Sequence, residues 1–216
     1  PKPLSPNIYY LFTTDEAENI GANGMRYTVI DMNLDGGMGD VDVTQKNILL
    51  FAPCTEKLAA VNHCNDTSVW VMGHEVNNNH FRAFLVTANG IDTNAVVSPV
   101  GFPNMSNSLY GIAGAMKFSP DGKLVCSISD SAFKKVELFE FNAYSGTVFN
   151  SFTLPTNNTS LNRALSFSSN SSFLYIGKFG NNQPMLQFDV SIYDSLLISN
   201  SQVNVSPIFN RGSVNA

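Results

Sequence analysis

The sequence predicts an all-β chain, a β-propeller built from four-stranded antiparallel blades. Three observations carry this. Ala115–Leu154 reads as one complete four-stranded unit. The same order of strand, tight turn, strand, loop, strand, turn and strand recurs before and after it. Phe118 and Phe167 stand at matching points just before the first turn, about 49 residues apart, which is the spacing of propeller blades. A β-sandwich also gives short strands with regular turns, but it does not predict one fixed order three times over.

Within the central unit, Ala115–Ser119 and Lys123–Ser129 are the first two strands. Pro120-Asp121-Gly122 joins them: Pro presets φ, Asp bonds the backbone ahead, and Gly accepts a positive φ. Neither strand alternates cleanly, as expected of strands covered on both faces. Asp130–Lys134 reads as a loop, Lys135–Asn142 as the third strand, Tyr144-Ser145-Gly146 as its turn and Thr147–Leu154 as an alternating fourth strand.

Taken in order, Ile8–Thr13 is a strand, Glu16–Asn19 allows one helical turn, and Met25–Asn33 is the next strand. Leu34–Asp42 is a Gly- and Asp-rich turn, and Asn47–Ala52 is the outer strand of a unit whose beginning is missing, so residues 8–52 form a partial blade. A full blade is expected over 57–100: Leu58–His63, a turn at Asn65-Asp66-Thr67, Ser68–His74, a loop at Asn77-Asn78-Asn79, Phe81–Thr87 and Ala95–Val100. The central blade covers 115–154 and a last one 164–205, with strands Leu165–Ser168, Phe173–Lys178, Met185–Val190 and Leu196–Val203 around a loop at Gly180–Gln183. No strong helix is expected. Three full units and a part make about four blades, whereas seven blades at this period need roughly 300 residues. The half unit at the start, and Ile208–Ala216 after the last blade, read as a cut through a larger ring. An incomplete ring exposes a blade face, which favours self-association.

Composition bounds the function. The chain has 216 residues, 44% hydrophobic and only 13% charged, so Asn, Ser and Thr form its polar coat. A net charge of −5 with scattered basic residues argues against a nucleic-acid groove. No apolar run approaches the roughly 18 residues of a membrane helix, and no basic start with an apolar core marks a signal peptide. The first residue is Pro rather than Met, so the chain reads as processed or excised. Three cysteines, Cys54, Cys64 and Cys126, cannot all pair with one another; they read as small buried hydrophobes, with Cys54–Cys64 as the one bridge weighed.

Candidate chemistry is thin. His63, Cys64, His74, Glu75 and His80 are zinc-ligand types, but no CxxC or HExxH spacing is present, and the strand pattern puts His63-Cys64 and His74-Glu75 at opposite ends of a hairpin. Asp31, Asp35, Asp40 and Asp42 around a Gly-Gly-Met-Gly run could offer oxygens to calcium, against the plainer reading of a Gly-rich turn. Ser131 follows Asp130 without a nucleophile elbow, and no glycosidase carboxylate pair stands out. No catalytic residue, metal site or cofactor is therefore assigned. Asn65, Asn104, Asn158 and Asn170 fit the N-glycosylation pattern, and Asp130-Ser131 and Asp194-Ser195 a bacterial O-glycosylation signal, at the rate chance gives in so Asn- and Ser-rich a chain. Phe118, Phe139, Phe141, Phe167 and Phe188 read as blade core, while Tyr9-Tyr10 and Tyr110 stay open.

Lys117–Val125, KFSPDGKLV, resembles WD40-like and TolB-like propeller repeats, where this turn joins the two innermost strands of a blade. Tyr9–Thr14, Met25–Val41 and Glu56–Ile91, followed by the SPDG unit, together resemble the propeller of large secreted Bacteroidetes-type proteins that commonly end in a gliding-motility-associated or type IX secretion sorting domain. That resemblance implies an exported or cell-surface protein and supplies no catalytic motif. The expected role is a binding or scaffolding module whose partner, protein or polysaccharide, docks at a propeller face or the central channel. Variable loops such as Val76–His80 and Gly180–Gln183 are where contact is expected. The rival is a propeller enzyme, lactonase-like or carbohydrate-acting.

Overall fold

The computed structural model describes residues 1–105, 112–129, 135–156, 162–178 and 185–205. Four antiparallel sheets follow one another along the chain and stack as an open ring. Sheet one holds β1 (Ile8–Thr13), β2 (Met25–Asp31), β3 (Asp40–Val41) and β4 (Ile48–Phe51). Sheet two holds β5 (Cys54–Asn62), β6 (Val69–Glu75), β7 (His80–Thr87), β8 (Gly90–Ile91) and β9 (Val96–Pro99). Sheet three holds β10 (Met116–Phe118), β11 (Leu124–Ser129), β12 (Lys135–Asn142) and β13 (Thr147–Thr153). Sheet four holds β14 (Asn162–Phe167), β15 (Phe173–Lys178), β16 (Leu186–Asp189) and β17 (Val203–Asn204). The predicted loops Asp130–Lys134 and Gly180–Gln183, with Tyr110, Ser131, Asn158 and Ile208–Ala216, lie outside the described residues.

The first strands stand beside one another, β10 touching both β5 and β14, so successive sheets pack face to face. Side-chain alternation then divides each strand between two neighbours. On β11, Leu124, Cys126 and Ile128 join a cluster with Leu165, Leu174, Ile176 and Phe188 of sheet four. Val125 joins the opposite cluster with Ala59, Trp70, Met72, Phe81 and Ala83 of sheet two. All six residues of β11 are buried, which accounts for its lack of alternation.

Turn chemistry repeats with the sheets. In the SPDG turn Ser119 Oγ donates to Asp121 Oδ1 (2.7 Å) and accepts from Leu124 N (2.9 Å). In the next sheet Ser168 Oγ donates to Asn170 Oδ1 (2.7 Å) and accepts from Phe173 N (2.9 Å). Asp121 N then donates to Ser171 Oγ (3.0 Å), tying one turn to its successor 50 residues on. Val148 N and Ser98 Oγ (2.9 Å) make a second link at the same separation. Trp70 Nε1 donates to Ala143 O (2.8 Å), and its ring covers Gly146, where a φ of +75° and a ring atom 2.6 Å from any Cβ leave room for glycine alone.

One strand is corrected. Leu196–Val203 is not extended: Ser195–Asn200 is a helix, α1, and only Val203–Asn204 pairs as β17. Asp194 caps it by accepting from Leu196 N (2.9 Å) and Leu197 N (2.8 Å), so the apolar run Leu-Leu-Ile serves a helical turn that buries Ile198. The Glu16–Asn19 turn appears as a 3-10 turn over Ala17–Asn19. The cysteines are free; Cys54 and Cys126 are buried, but Cys64 is exposed.

Candidate functional site

Two places hold arrangements that the packing alone does not require. The first is a polar layer at one end of the interface between sheets two and three. Lys57 and His74 project from sheet two on the face that carries Ala59 and Met72; Glu137 projects from sheet three on the face that carries Phe139. All three are buried, at 1%, 1% and 5% exposure, and Asn104 of the following linker is buried with them at 3%. Lys57 Nζ donates to Asn104 Oδ1. His74 Nδ1 donates to Glu75 O (2.7 Å), which leaves Nε2 to accept from Asn104 Nδ2 (3.0 Å). The side chains thus form one directed chain of hydrogen bonds ending on the backbone.

The linker that covers this layer is stitched to the β6–β7 loop. Asn77 N donates to Asn104 O (2.7 Å), Asn104 N to Asn78 O (3.0 Å) and Val100 N to Asn79 O (3.1 Å). Phe102 N donates to both oxygens of Glu137 (3.2 and 3.1 Å). Burial raises the Glu137 carboxyl above its ordinary value, opposed by the Phe102 N–H and by the charges of Lys57 and Lys135. Burial, with the Lys57 charge in support, pushes the His74 imidazole down to about 3. Beside the layer, Glu75 takes bonds from Asn78 and Arg82 and lies 3.4 Å from His80. Burial works against its charged form, but those bonds outweigh it and hold the carboxyl below the usual range.

The second place is a groove of about 430 Å³ beside β1, lined also by Pro1; among the described residues β1 pairs with β2 alone. Tyr10 and Phe12 of β1 form one wall; Leu58, Ala60, Val69, Val71 and Val86 of sheet two form its floor. Tyr10, Phe12 and Tyr27 meet in tilted and edge-on pairs with centroids 6.1 to 6.4 Å apart. Lys117 stands exposed at the far rim beside Phe118.

The zinc-ligand types sort as the hairpin pattern predicts. His63 and Cys64 follow β5, with His63 against Trp70 (5.8 Å) and Tyr144 (6.3 Å), whereas His74 and Glu75 end β6 at the other end of the sheet. Among the described residues no group of three or more His, Cys, Asp or Glu could hold a metal ion. In the Gly-rich turn Asp31 accepts from Asn33 N (2.8 Å), Asp42 caps a 3-10 turn through Thr44 N (2.9 Å), and Asp35 lies in another 3-10 turn over Asp35–Gly37. Asp31 and Asp42 line a 400 Å³ recess that also takes Lys2. Asn65 and Asn170 cap their own turns, through Thr67 N (3.1 Å) and Ser172 N (3.2 Å). Phe139, Phe141 and Phe188 are core as expected, and Phe118 and Phe167 pack against it half-buried. Sequence reasoning left Lys57 and Glu137 unremarked and read Asn104 only as part of a glycosylation pattern. The one signal was Glu137, a charged residue at a strand position between the apolar Val136 and Leu138; Lys57, after Glu56, carried none.

No protein-family model and no curated protein sequence matches the chain. Solved structures do. A Bacteroides fragilis protein titled a 6-phosphogluconolactonase superposes with a TM-score of 0.57 at 14% identity, over 91% of this chain and 52% of its own. A Bacteroides uniformis protein of the same title gives 0.53 at 13% identity, over 91% and 52%. The periplasmic gluconolactonase of Pseudomonas aeruginosa gives 0.55 at 15% identity, over 95% and 57%. At these identities the likeness shows the fold, a β-propeller. The chain spans about half the length of the first two structures it resembles.

Proposed function

We propose that the chain is a binding or scaffolding propeller module of a larger extracellular or cell-surface protein. The observation that carries binding over catalysis is the contrast between the two places just described. The groove beside β1 is open, apolar and aromatic-walled, as a recognition surface is. The polar layer holds two titratable groups, His74 and Glu137, but both are buried under the linker and engaged with fixed partners. The secreted setting rests on the resemblance of Tyr9–Thr14, Met25–Val41 and Glu56–Ile91 to exported bacterial propellers.

The rival reading, a lactone hydrolase, draws on the names of the structures the chain resembles. A direct comparison separates the two. The purified chain is titrated with 8-anilinonaphthalene-1-sulfonate, and separately assayed for hydrolysis of glucono-δ-lactone by proton release. Binding of the dye that is lost in Ala60→Tyr, with no turnover above background, is the expected result. Turnover that His74→Gln abolishes would overturn it. Proteolysis of intact cells that make the protein tests the setting: protection from added protease would overturn a surface location.

A further inference from the structure

The tripeptide Ala-Asn-Gly occurs twice in the chain, as Ala22-Asn23-Gly24 and Ala88-Asn89-Gly90. An asparagine followed by glycine is open to one reaction that needs no enzyme. The backbone nitrogen of the glycine attacks the side-chain carbonyl carbon of the asparagine, and glycine has no side chain to shield that nitrogen. The new bond from nitrogen to Cγ closes a five-membered imide. The bond from Cγ to Nδ2 breaks and ammonia leaves. Water then opens the imide at one of its two carbonyls, giving aspartate or isoaspartate. In sum, an amide and water become a carboxylate and ammonium, with no oxidant or cofactor.

The reaction needs a mobile side-chain amide, a glycine nitrogen that can be freed, room for the imide and access for water. The fold withholds these at the first copy. Asn23 Nδ2 donates to Asp15 Oδ1 (3.2 Å), and Asn23 N donates to Asp15 Oδ2 (2.7 Å). Gly24 N donates to Gly21 O (3.0 Å). Gly24 is buried, and a Cβ on it would lie 2.1 Å from Phe51 O and 2.7 Å from Ala52 Cβ. The amide is tied, the nucleophile is occupied and the imide has no room.

The second copy is the reverse. Asn89 is exposed, and its side-chain amide carries no hydrogen bond among the described residues; only its backbone N is held, by Thr87 Oγ1 (3.1 Å). The nearest neighbour of a Cβ on Gly90 is the Tyr10 hydroxyl at 3.7 Å, so the imide fits. Gly90 pairs with Thr87 in the outer rung of the two-rung ladder between β7 and β8. Its nitrogen is therefore freed by fraying of a hairpin end, the least costly kind of opening. Asn89 and Gly90 both line the 400 Å³ recess, so water reaches them.

We infer that Asn89 is a site of spontaneous modification in the folded protein, converting to aspartate and isoaspartate with loss of ammonia, while the fold protects the same tripeptide at Asn23. The new carboxylate joins Asp31 and Asp42 in a recess whose lining, among the described residues, holds one cation, Lys2. The recess becomes more acidic as the molecule ages, and the isoaspartate form adds a backbone methylene at the tip of the β7–β8 hairpin. None of this depends on the binding-module reading.

The whole chain is incubated at mildly alkaline pH, folded in buffer and unfolded in guanidinium chloride. Conversion is followed by peptide mapping with mass spectrometry, and isoaspartate by enzymatic methylation. In denaturant the two copies should convert at similar rates, because their local sequence is the same. In buffer Asn89 should convert at least about tenfold faster than Asn23, the difference being one of local opening. Asn89→Gln, whose longer side chain closes a larger ring more slowly, should remove isoaspartate from that peptide and keep the wild-type melting curve. Three results would each overturn the inference: an intact Asn89 in the folded chain over the time in which the unfolded chain converts, equal conversion of Asn23 and Asn89 in the folded chain, or isoaspartate at that peptide undiminished in Asn89→Gln.

Discussion

The interface between sheets two and three and the interface between sheets three and four share β11 and β12, yet they are built from different chemistry. One side of these strands gives Leu124, Cys126, Ile128, Val136 and Leu138 to an apolar cluster that meets Leu174, Ile176, Leu186 and Phe188. The other gives Val125, Phe139 and Phe141 to an apolar cluster, then changes character towards one end, where Glu137 meets the layer of Lys57, Asn104 and His74. An apolar interface gains stability in proportion to area and is insensitive to pH. A buried polar layer gains little net stability but penalises any arrangement that leaves its members unpaired. The first interface holds sheets together. The second also fixes where the linker after β9 must lie, because only one path brings Asn104 and the Phe102 N–H to their partners.

The largest expected effect comes from breaking that pairing on one side. Lys57→Met leaves the buried Glu137 carboxylate with Lys135 as its remaining nearby cation and removes the Lys57 donor from Asn104 Oδ1. A loss of about 3–5 kcal/mol is expected. Adding Glu137→Gln removes the stranded charge and keeps an acceptor for Phe102 N–H, so the double variant should recover much of that loss. Leu174→Ala, in the apolar interface, should cost about 2–5 kcal/mol, and no second polar substitution should rescue it. Urea unfolding followed by Trp70, whose indole bridges sheets two and three, measures each variant. Additive losses for Lys57→Met and Glu137→Gln would show that the layer is not a coupled unit.

The same contrast predicts different responses to acid. His74 titrates at about 3 in the folded chain against an ordinary value of 6.5. Its contribution is complete above pH 6.5 and is lost as pH falls, because the unfolded chain takes up a proton that the folded chain refuses. Between pH 6.5 and 5 this amounts to about 2 kcal/mol. Glu137 works in the opposite sense: its raised value favours the folded state at low pH and is lost as pH rises through the folded value. The His74 share is isolated by comparing wild type with His74→Gln, an amide that can still donate to Glu75 O and accept from Asn104. The variant should show a flatter stability profile from pH 6.5 to 5. Parallel profiles would mean that the imidazole is protonated in the folded chain.

How much of this the sequence disclosed follows from the same physics. Strands, turns and their order are local, so alternation and the Pro-Asp-Gly and Asn-rich turns place most of them to within a few residues. The helix Ser195–Asn200 also has a local signal, Asp194 with one residue between it and the apolar run Leu196–Ile198, whereas the repeat pattern reads the same run as a fourth strand. The polar layer was not legible. Lys57, His74, Asn104 and Glu137 come from three strands and a linker and meet only because sheet two faces sheet three. The hairpin pattern did separate His63 from His74, at opposite ends of sheet two, but nothing local shows what His74 meets across the interface.

The smallest effect tests the links that both interfaces share. Ser171 Oγ accepts from Asp121 N (3.0 Å), joining the turn of sheet three to that of sheet four. Asp121 also accepts from Ser119 Oγ and Lys123 N (3.2 Å), so its carboxyl stays below the ordinary range although burial opposes this. Because the Asp121 amide is near solvent, water can replace the lost acceptor, and Ser171→Ala should cost only about 0.5–1 kcal/mol. Ser171 sits at a φ of +61°, so Ser171→Gly loses the same bond but relieves the backbone. The Gly variant should therefore be the more stable of the two, by up to about 1 kcal/mol. Equal losses in both would place the whole effect in the inter-sheet bond. A gain for Gly over wild type would show that the turn-to-turn link is held against backbone strain, and that the side-chain clusters set the spacing of the sheets.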